Sequence, residues 1–258
     1  MSNLYNKNYK ALIIRKKNNK CYFKIDQIKK RDLIKDEVLV QVKYSTLNYK
    51  DILVCNGNPG LVRKYPHVPG IDASGVVVES KSKKFKKNDK VMVVAQPSGI
   101  HNNGGFSEFL YINYSNLEKI PKNFSLKQSM IVGTAGFTAA LSIMKLMSKN
   151  QFKKNQLILV TGATGGVGLI SILLLKILGF KVEAITSNYK KKSKFLRDIG
   201  ANNVLSLKEF NSSNQMPLNK MKYDGIIDTI GGKVIGSASK QLKLNSSIML
   251  IGNISNSN

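Results

Sequence analysis

The chain has no tryptophan, two cysteines, two histidines and six prolines in 258 residues, and 15 acidic side chains stand against 41 basic ones. Each shortage excludes something. Cys21 and Cys55 have no paired spacing, which argues against a disulfide framework, and with so few histidines a structural zinc site is also disfavoured. That usage fits a reducing cytoplasm. No stretch approaches the ~18 uninterrupted apolar residues of a membrane span, and the polar opening from Met1 to Lys10 lacks the apolar centre of a secretory leader. Neither secretion nor membrane insertion is expected.

The shortage of acids leaves a net charge of +26, which suits nucleic acid, an anionic membrane or an anionic small molecule. The lysines are dispersed rather than blocked, and asparagine and isoleucine are also abundant. A general compositional bias therefore accounts for much of the charge, with steering of anionic ligands as its functional counterpart. An apolar content of 42% is enough for packed cores, and the length allows one large domain or two ordinary ones.

The rest of the chain is arranged around Leu157-Ile158-Leu159-Val160-Thr161-Gly162-Ala163-Thr164-Gly165-Gly166-Val167-Gly168. This reads as strand, glycine-rich turn and helix start. Backbone N–H groups from Thr164 to Gly168 would approach a pyrophosphate, and the helix opening near Gly166 would aim its positive end at the anion. A glycine-rich helix cap is the plainer reading, but a strand before the loop and an apolar helix after it favour nucleotide binding.

Upstream, short alternating or apolar runs (Ala11–Ile14, Glu37–Val42, Gly75–Val78, Lys90–Val94, Glu108–Ile112) are separated by Gly, Pro and Asn clusters. They predict a mostly β domain over residues 1–124. Helical periodicity over 125–149 predicts a bridging helix or helix pair. The remainder, within a second domain spanning 125–258, alternates: strands at 157–161, 181–186, 203–206, 224–229 and 247–251, helices near 166–178, 190–199 and 233–242. Such alternation implies a doubly wound parallel sheet with helices on both faces, an α/β class. Residues 207–222 read as loop or poor helix.

The end of the second strand of this ladder decides the nucleotide. NAD binders place an acid there, roughly 20 positions beyond the loop, to hold the ribose hydroxyls. Here Ser187-Asn188-Tyr189 is followed by Lys190-Lys191-Lys192, and Glu183 falls too early. A hydroxyl beside ammonium groups suits a 2′-phosphate, so NADPH is expected. A short-chain reductase could own the same glycine loop, but none of the ten tyrosines has a lysine four residues later. Its Tyr-x-x-x-Lys chemistry is excluded.

Five motifs occur in order: Ser45-Thr46-Leu47-Asn48-Tyr49-Lys50-Asp51; Pro66-His67-Val68-Pro69-Gly70-Ile71-Asp72-Ala73-Ser74-Gly75; Gly104-Gly105-Phe106-Ser107-Glu108; Gly133-Thr134-Ala135-Gly136-Phe137-Thr138-Ala139; and the glycine loop. Together they resemble the medium-chain dehydrogenase/reductase superfamily, and within it the zinc-free quinone oxidoreductase and acryloyl-CoA reductase group, from Ala11 to about Gly252. The resemblance implies a GroES-like β domain packed against a Rossmann domain with the active site in the cleft. Zinc-dependent relatives have a cysteine ligand near Asn48–Asp51 and Gly-His-Glu where this chain reads Gly-Ile-Asp, so no metal is expected. It also implies hydride delivery from NADPH to an activated C=C, acryloyl-CoA to propanoyl-CoA, or alternatively to a quinone. The catalytic candidates are Asn48, Tyr49 and Asp51; a turn with a packed aromatic is the plainer reading of these residues. Thr134 and Asn253 are candidate nicotinamide neighbours, a helix cap competing for Thr134.

His67, between prolines, reads as structural, and His101 as a loop residue one step from the position of the family's histidine. Arg63 and Lys64 could meet a CoA phosphate or simply be solvated. Relatives continue beyond the equivalent of Asn253, so the C-terminal part of the family fold is expected to be missing from this sequence. For the intact protein a homodimer is expected. A rival of another class, a nucleic-acid-binding protein on a nucleotide fold, rests on charge alone and lacks a basic-aromatic RNA motif.

Overall fold

The computed structural model describes residues 8–149, 153–213 and 220–252. Contacts divide the chain into two compact units, Met1–Thr134 and Ala135–Asn258, a division that falls within the 125–149 segment.

In the first unit, β1 (Tyr9–Lys17) and β2 (Lys20–Ile28) form an antiparallel hairpin with Lys17 opposite Lys20. Asn18 and Asn19 close it at φ 48° and 61°, the left-handed pair that a two-residue hairpin turn requires and asparagine tolerates. Hydrophobic alternation marks β1 but not β2, because Tyr22, Phe23 and Ile25 stay exposed and the strand has no buried face to declare.

A second sheet follows. Its strands β3 (Glu37–Ser45), β4 (Ala73–Ser80), β5 (Lys90–Val93), β6 (Phe109–Asn113) and β7 (Glu118–Lys119) lie in the order β6-β3-β4-β5-β7, all neighbours antiparallel. Val38 and Val40, two residues apart on β3, share one face with Val77, Val91, Val93, Leu110 and Ile112, and Phe85 and Leu117 seal the cluster. This is the period of two that a half-buried strand imposes. Between β3 and β4 the chain forms α1 (Tyr49–Cys55), which carries the first of the sequence motifs.

The helical segment α2 (Leu126–Lys149) is two helices joined at Gly133, whose φ of 49° and ψ of −159° lie outside helical space. Its residues Leu126–Ser148 are long and apolar enough to cross a membrane by length and composition. Lys127 and Lys145 interrupt it, however, and Ile143 and Leu146 are buried in the core of the second unit.

That unit holds β8 (Leu157–Val160), α3 (Gly166–Ile177), β9 (Lys181–Thr186), α4 (Tyr189–Ile199), β10 (Asn203–Ser206), α5 (Leu207–Ser213), β11 (Tyr223–Asp228), α6 (Gly232–Ser239) and β12 (Leu242–Leu250). The sheet is parallel in the order β10-β9-β8-β11-β12. Ile158, Val160, Val182 and Ala184 face α3 and α4 through Ile172, Leu175 and Leu196, whereas Leu159, Ile185 and Ile226 face α5 and α6 through Phe210, Val234 and Ala238. Both faces are covered, as the sequence alternation requires. The chain leaves β8 in one direction, builds β9 and β10, then returns to the other side of β8. The carboxyl ends of β8 and β11 therefore flank the switch point where doubly wound sheets bind ligands.

One buried acid stands inside this sheet. Glu183 on β9, 2% exposed, accepts from Lys222 Nζ at 2.6 and 2.8 Å, Tyr223 Oη at 2.5 Å and Asn203 Nδ2 at 2.8 Å. Burial alone would raise its carboxyl, but these donors outweigh it and hold the group below its ordinary 4.5. A lowered folded-state value adds stability that is complete above the unfolded value and is lost as pH falls through the folded one. Glu183→Gln is accordingly expected to cost about 2–3 kcal/mol at neutral pH. Thermal denaturation across acid pH should show the gap to the parent closing below the ordinary 4.5; a gap independent of pH would sink the assignment.

Candidate active site

The motifs from the two halves of the sequence fall in different units, and each is built locally. In the first, Asn48 caps α1 in extended conformation (φ −115°, ψ 160°) and forms a capping box with Asp51. Asp51 is fully buried. One of its oxygens accepts from Asn48 N at 2.8 Å, the other from Gly70 N at 3.1 Å and Ile71 N at 3.0 Å. Burial pushes its carboxyl above the usual range, the three N–H groups work the other way, and the neighbouring Asp72 charge adds to the rise. Asp51 thus ties the start of α1 to the turn entering β4. It has no solvent-facing edge from which to meet a substrate.

Asp72 was not singled out for chemistry by the sequence, yet it organises this half. Also fully buried, it accepts from Asn48 Nδ2 at 3.0 Å, Thr134 N at 2.8 Å and Thr134 Oγ1 at 2.5 Å. Thr134 Oγ1 in turn accepts from Ala95 N at 2.9 Å. The threonine hydroxyl is therefore committed to the protein. Gly133 is needed beside it: a Cβ there would lie 2.7 Å from Asp72 Oδ2, at a φ that side chains rarely adopt. The signal available in the sequence was an acid between Gly70 and the apolar run of β4, in a chain with few acids.

Asn48 is half-buried with one amide hydrogen given to Asp72. Tyr49, the first residue of α1, is 44% exposed, and its hydroxyl has no hydrogen-bond partner among the described residues. The structure brings Asn48, Asp51, Asp72 and Thr134 into one network and leaves Tyr49 on its edge. His67 is buried and its Nε2 contacts Gly99 O at 2.9 Å, so that nitrogen carries the proton. Burial lowers its pKa. It is a neutral strut, while His101, Arg63 and Lys64 are exposed.

In the second unit, the loop after β8 is pinned from both sides. Thr161 Oγ1 donates to Asp228 Oδ1 at 2.5 Å and accepts from Thr229 N at 3.0 Å, while Gly231 N donates to Asp228 Oδ2 at 2.8 Å. These bonds join the carboxyl ends of β8 and β11. Gly165 caps α3 with N donating to Gly162 O at 2.9 Å, and Gly165 and Gly166 are exposed. Thr164 and Val167 are half-buried. Gly168 lies against the loop itself; a Cβ there would stand 2.5 Å from Gly162 O and 2.8 Å from Ala163 Cα, both backbone. The cradle requires glycine at this position.

At the end of β9, Ser187 and Asn188 are exposed and Tyr189 packs partly into the core. Asn188 caps α4 without a side-chain hydrogen bond, and the first turn carries no acid. Lys190, Lys191 and Lys192 are exposed there instead. Positive side chains at a helix N-terminus are unfavourable unless an anion joins them. Glu183, which could have held ribose hydroxyls, points into the sheet and is consumed there. Asn253 lies outside the described residues.

Over residues 34–122 the chain matches the alcohol dehydrogenase GroES-like domain, and over 166–258 the zinc-binding dehydrogenase family. It is 36% identical over 244 residues to the putative quinone oxidoreductase YhfP of Bacillus subtilis, across 95% of this chain and 74% of the relative. Identity to the acrylyl-CoA reductase AcuI of Ruegeria pomeroyi is also 36%, over 246 residues, with the same coverage of 95% and 74%. Among solved structures, the yhdH oxidoreductase of Salmonella enterica in complex with NADP gives a TM-score of 0.87 at 33% identity, over 95% of this chain and 74% of that one. The Bacillus subtilis yhfP protein with NAD bound gives 0.89 at 34% identity, over 98% and 76%.

Proposed function

We infer the function from one premise: the chain belongs to the medium-chain dehydrogenase/reductase superfamily, in the group of quinone oxidoreductases and acrylyl-CoA reductases. We propose that it is a cytoplasmic, NADPH-dependent reductase that saturates the activated C=C of a small enoyl thioester, with acryloyl-CoA to propanoyl-CoA as the leading reaction. The intact protein is proposed to be a homodimer. Quinone reduction is the second reading, supported by the equal identity to a relative named for it.

The zinc that the family name implies does not fit these residues. Among the described residues no group of three His, Cys, Asp or Glu side chains could hold a metal, and Asp51 and Asp72 are committed to N–H and hydroxyl donors.

The nucleotide does fit. Gly168 lets α3 start directly against the loop backbone of Gly162 and Ala163, Gly165 and Gly166 are exposed at that start, and the uncapped, lysine-rich start of α4 is suited to a phosphate. N–H groups of Thr164, Gly166, Val167 and Gly168 would hold the pyrophosphate, while Gly165, whose own N–H is given to Gly162 O, shapes the turn; Ser187, Asn188, Lys190 and Lys191 would take the 2′-phosphate, with Tyr189 beside them. Thr134 and Asn253 would border the nicotinamide, Thr134 through its backbone and methyl group because its hydroxyl is committed. When bound, NADPH supplies a hydride for the β-carbon.

The observation that carries the mechanism is the Asn48–Asp72 hydrogen bond. It fixes which end of the amide faces inward, so the second Nδ2 hydrogen is available to the thioester oxygen as negative charge develops there. Tyr49 then gives its phenolic proton to the α-carbon and recovers one from solvent; hydride and proton together convert C=C to C–C. Asp51 is a positioning residue that holds α1. The test is NADPH and NADH oxidation followed by absorbance with acryloyl-CoA, crotonyl-CoA and quinones. Turnover of acryloyl-CoA with NADPH is expected to exceed the rest; inactivity on every acceptor would remove the enzymatic reading.

A further inference from the structure

Asp228 closes β11 fully buried, and among the described residues it makes no ion pair. Its carboxylate is held by hydroxyl and N–H donors alone: Thr161 Oγ1 at 2.5 Å, Gly231 N at 2.8 Å and Ile230 N at 3.4 Å. A buried charge without a cation is a costly way to stabilise a sheet, which a packed apolar side chain would do better. What it supplies is direction. A carboxylate accepts and does not donate, so the Thr161 hydroxyl gives its proton to Asp228 and keeps a lone pair for Thr229 N.

Thr229 completes the ring. Its own hydroxyl donates to Thr161 O at 2.9 Å, and the adjoining Gly162, at φ 59°, has no room for a side chain because a Cβ would collide with Thr229 Oγ1. Gly252, after β12, packs directly on Thr229 O in the same way, and Ile251 N donates to Asp228 O at 2.9 Å. The ends of β8, β11 and β12 are thus locked to one another through Thr161, Asp228 and Thr229.

The consequence lies in the carbonyls of the glycine turn. A phosphate is held by N–H groups and repelled by carbonyl oxygens. Thr161 O is taken by Thr229 Oγ1 and Gly162 O by Gly165 N at 2.9 Å, so the first two carbonyls after β8 are both spent inside the protein. The N–H groups at the start of α3 have no partner within the helix and stay available. One of the two carbonyls is held by a side chain 68 residues away, which the turn's own sequence does not encode.

We propose that Asp228 and Thr229 are positioning residues for the dinucleotide, acting through Thr161 to keep these carbonyls away from the pyrophosphate. The proposal rests on the nucleotide reading above. NADPH binding to the full chain, followed by its fluorescence, tests it, with adenosine 2′-monophosphate as a displacing probe that lacks the pyrophosphate. Asp228→Asn keeps the volume, but its amide nitrogen must confront Gly231 N or Thr161 Oγ1, and one donor loses its acceptor. It should weaken NADPH about tenfold and adenosine 2′-monophosphate by less than about twofold. Thr229→Val, at a half-buried position, should weaken NADPH about fivefold, and Thr229→Ser should keep roughly parental affinity. The two Thr229 variants decide the question if the Asp228 variant does not melt as a folded protein. Where it does, combining it with Thr229→Val should cost about as much as Asp228→Asn alone, because both act on one turn. Parental NADPH affinity in the folded variants, an equal loss for both ligands, or a serine variant as weak as the valine one would each overturn the proposal. A parent protein that binds neither ligand would remove the nucleotide reading itself, and this inference with it.

Discussion

Asp72→Ala is expected to lower kcat by about 10²-fold while the dissociation constant for NADPH stays where it was. The carboxylate touches no substrate in the mechanism above; it receives Asn48 Nδ2, Thr134 N and Thr134 Oγ1 at 2.5–3.0 Å. Without it the Asn48 amide is free to turn, and the donor that should face the thioester oxygen is presented in the correct orientation only part of the time. Three half-buried donors, two N–H groups and the Thr134 hydroxyl, also lose this acceptor, a cost of about 2–4 kcal/mol. Stability loss alone would reduce the amount of active protein, so the decisive measurement is kcat on protein shown to be folded by its melting transition, alongside NADPH affinity. Asp72→Asn supplies the second arm. It keeps one acceptor oxygen in nearly the same volume, and should recover more of the melting temperature than of kcat, because its amide nitrogen confronts another donor. A folded Asp72→Ala protein with parental kcat would show that the network is only structural.

The second unit was legible in the sequence because its signals are local, except that β12 starts at Leu242 rather than 247, since the mostly polar stretch Lys243–Ser246 hides its first half and lengthens the helix expected before it. Leu157–Val160 is a continuous apolar run, Gly165 to Gly168 follow at once, and each helix repeats its apolar residues on one face. A parallel sheet buried on both faces writes itself as such runs. The first unit was harder. β2 keeps its large side chains in solvent and so has no alternation to read. Asp72 and Thr134 are 62 positions apart, and neither residue carries a local mark of the other. The motif containing Asn48 and Asp51 did point to the right place, but it could not distinguish a side chain that faces a substrate from one spent on backbone amides. Asp51 has that second role because Gly70 and Ile71 direct their N–H groups at it from 19 and 20 residues away. Local pattern finds elements and loops; which polar atoms remain available is settled by long-range packing.

The same distinction governs the nucleotide preference, where the largest change is expected from Ser187→Asp combined with Lys190→Gln and Lys191→Gln. These three side chains are exposed at the end of β9 and the start of α4, and Glu183 on β9 is already held by Lys222, Tyr223 and Asn203. In the proposed complex two ammonium groups contact the 2′-phosphate, each worth about 1.5–3 kcal/mol as a charge-assisted hydrogen bond. Removing both should raise the KM for NADPH by on the order of 10²–10⁴-fold. The new aspartate repels the phosphate further and offers an acceptor to the 2′- and 3′-hydroxyls of NADH. The ratio of kcat/KM for NADPH to that for NADH should therefore invert, with kcat on saturating cofactor preserved, since none of the three residues belongs to the Asn48 network. Salt provides an independent check: the parent's KM for NADPH should rise with ionic strength and the triple variant's should not, because the screened charge pairs are gone. A parental preference in the triple variant would place the 2′-phosphate elsewhere and leave the lysines of α4 as ordinary solvated charges.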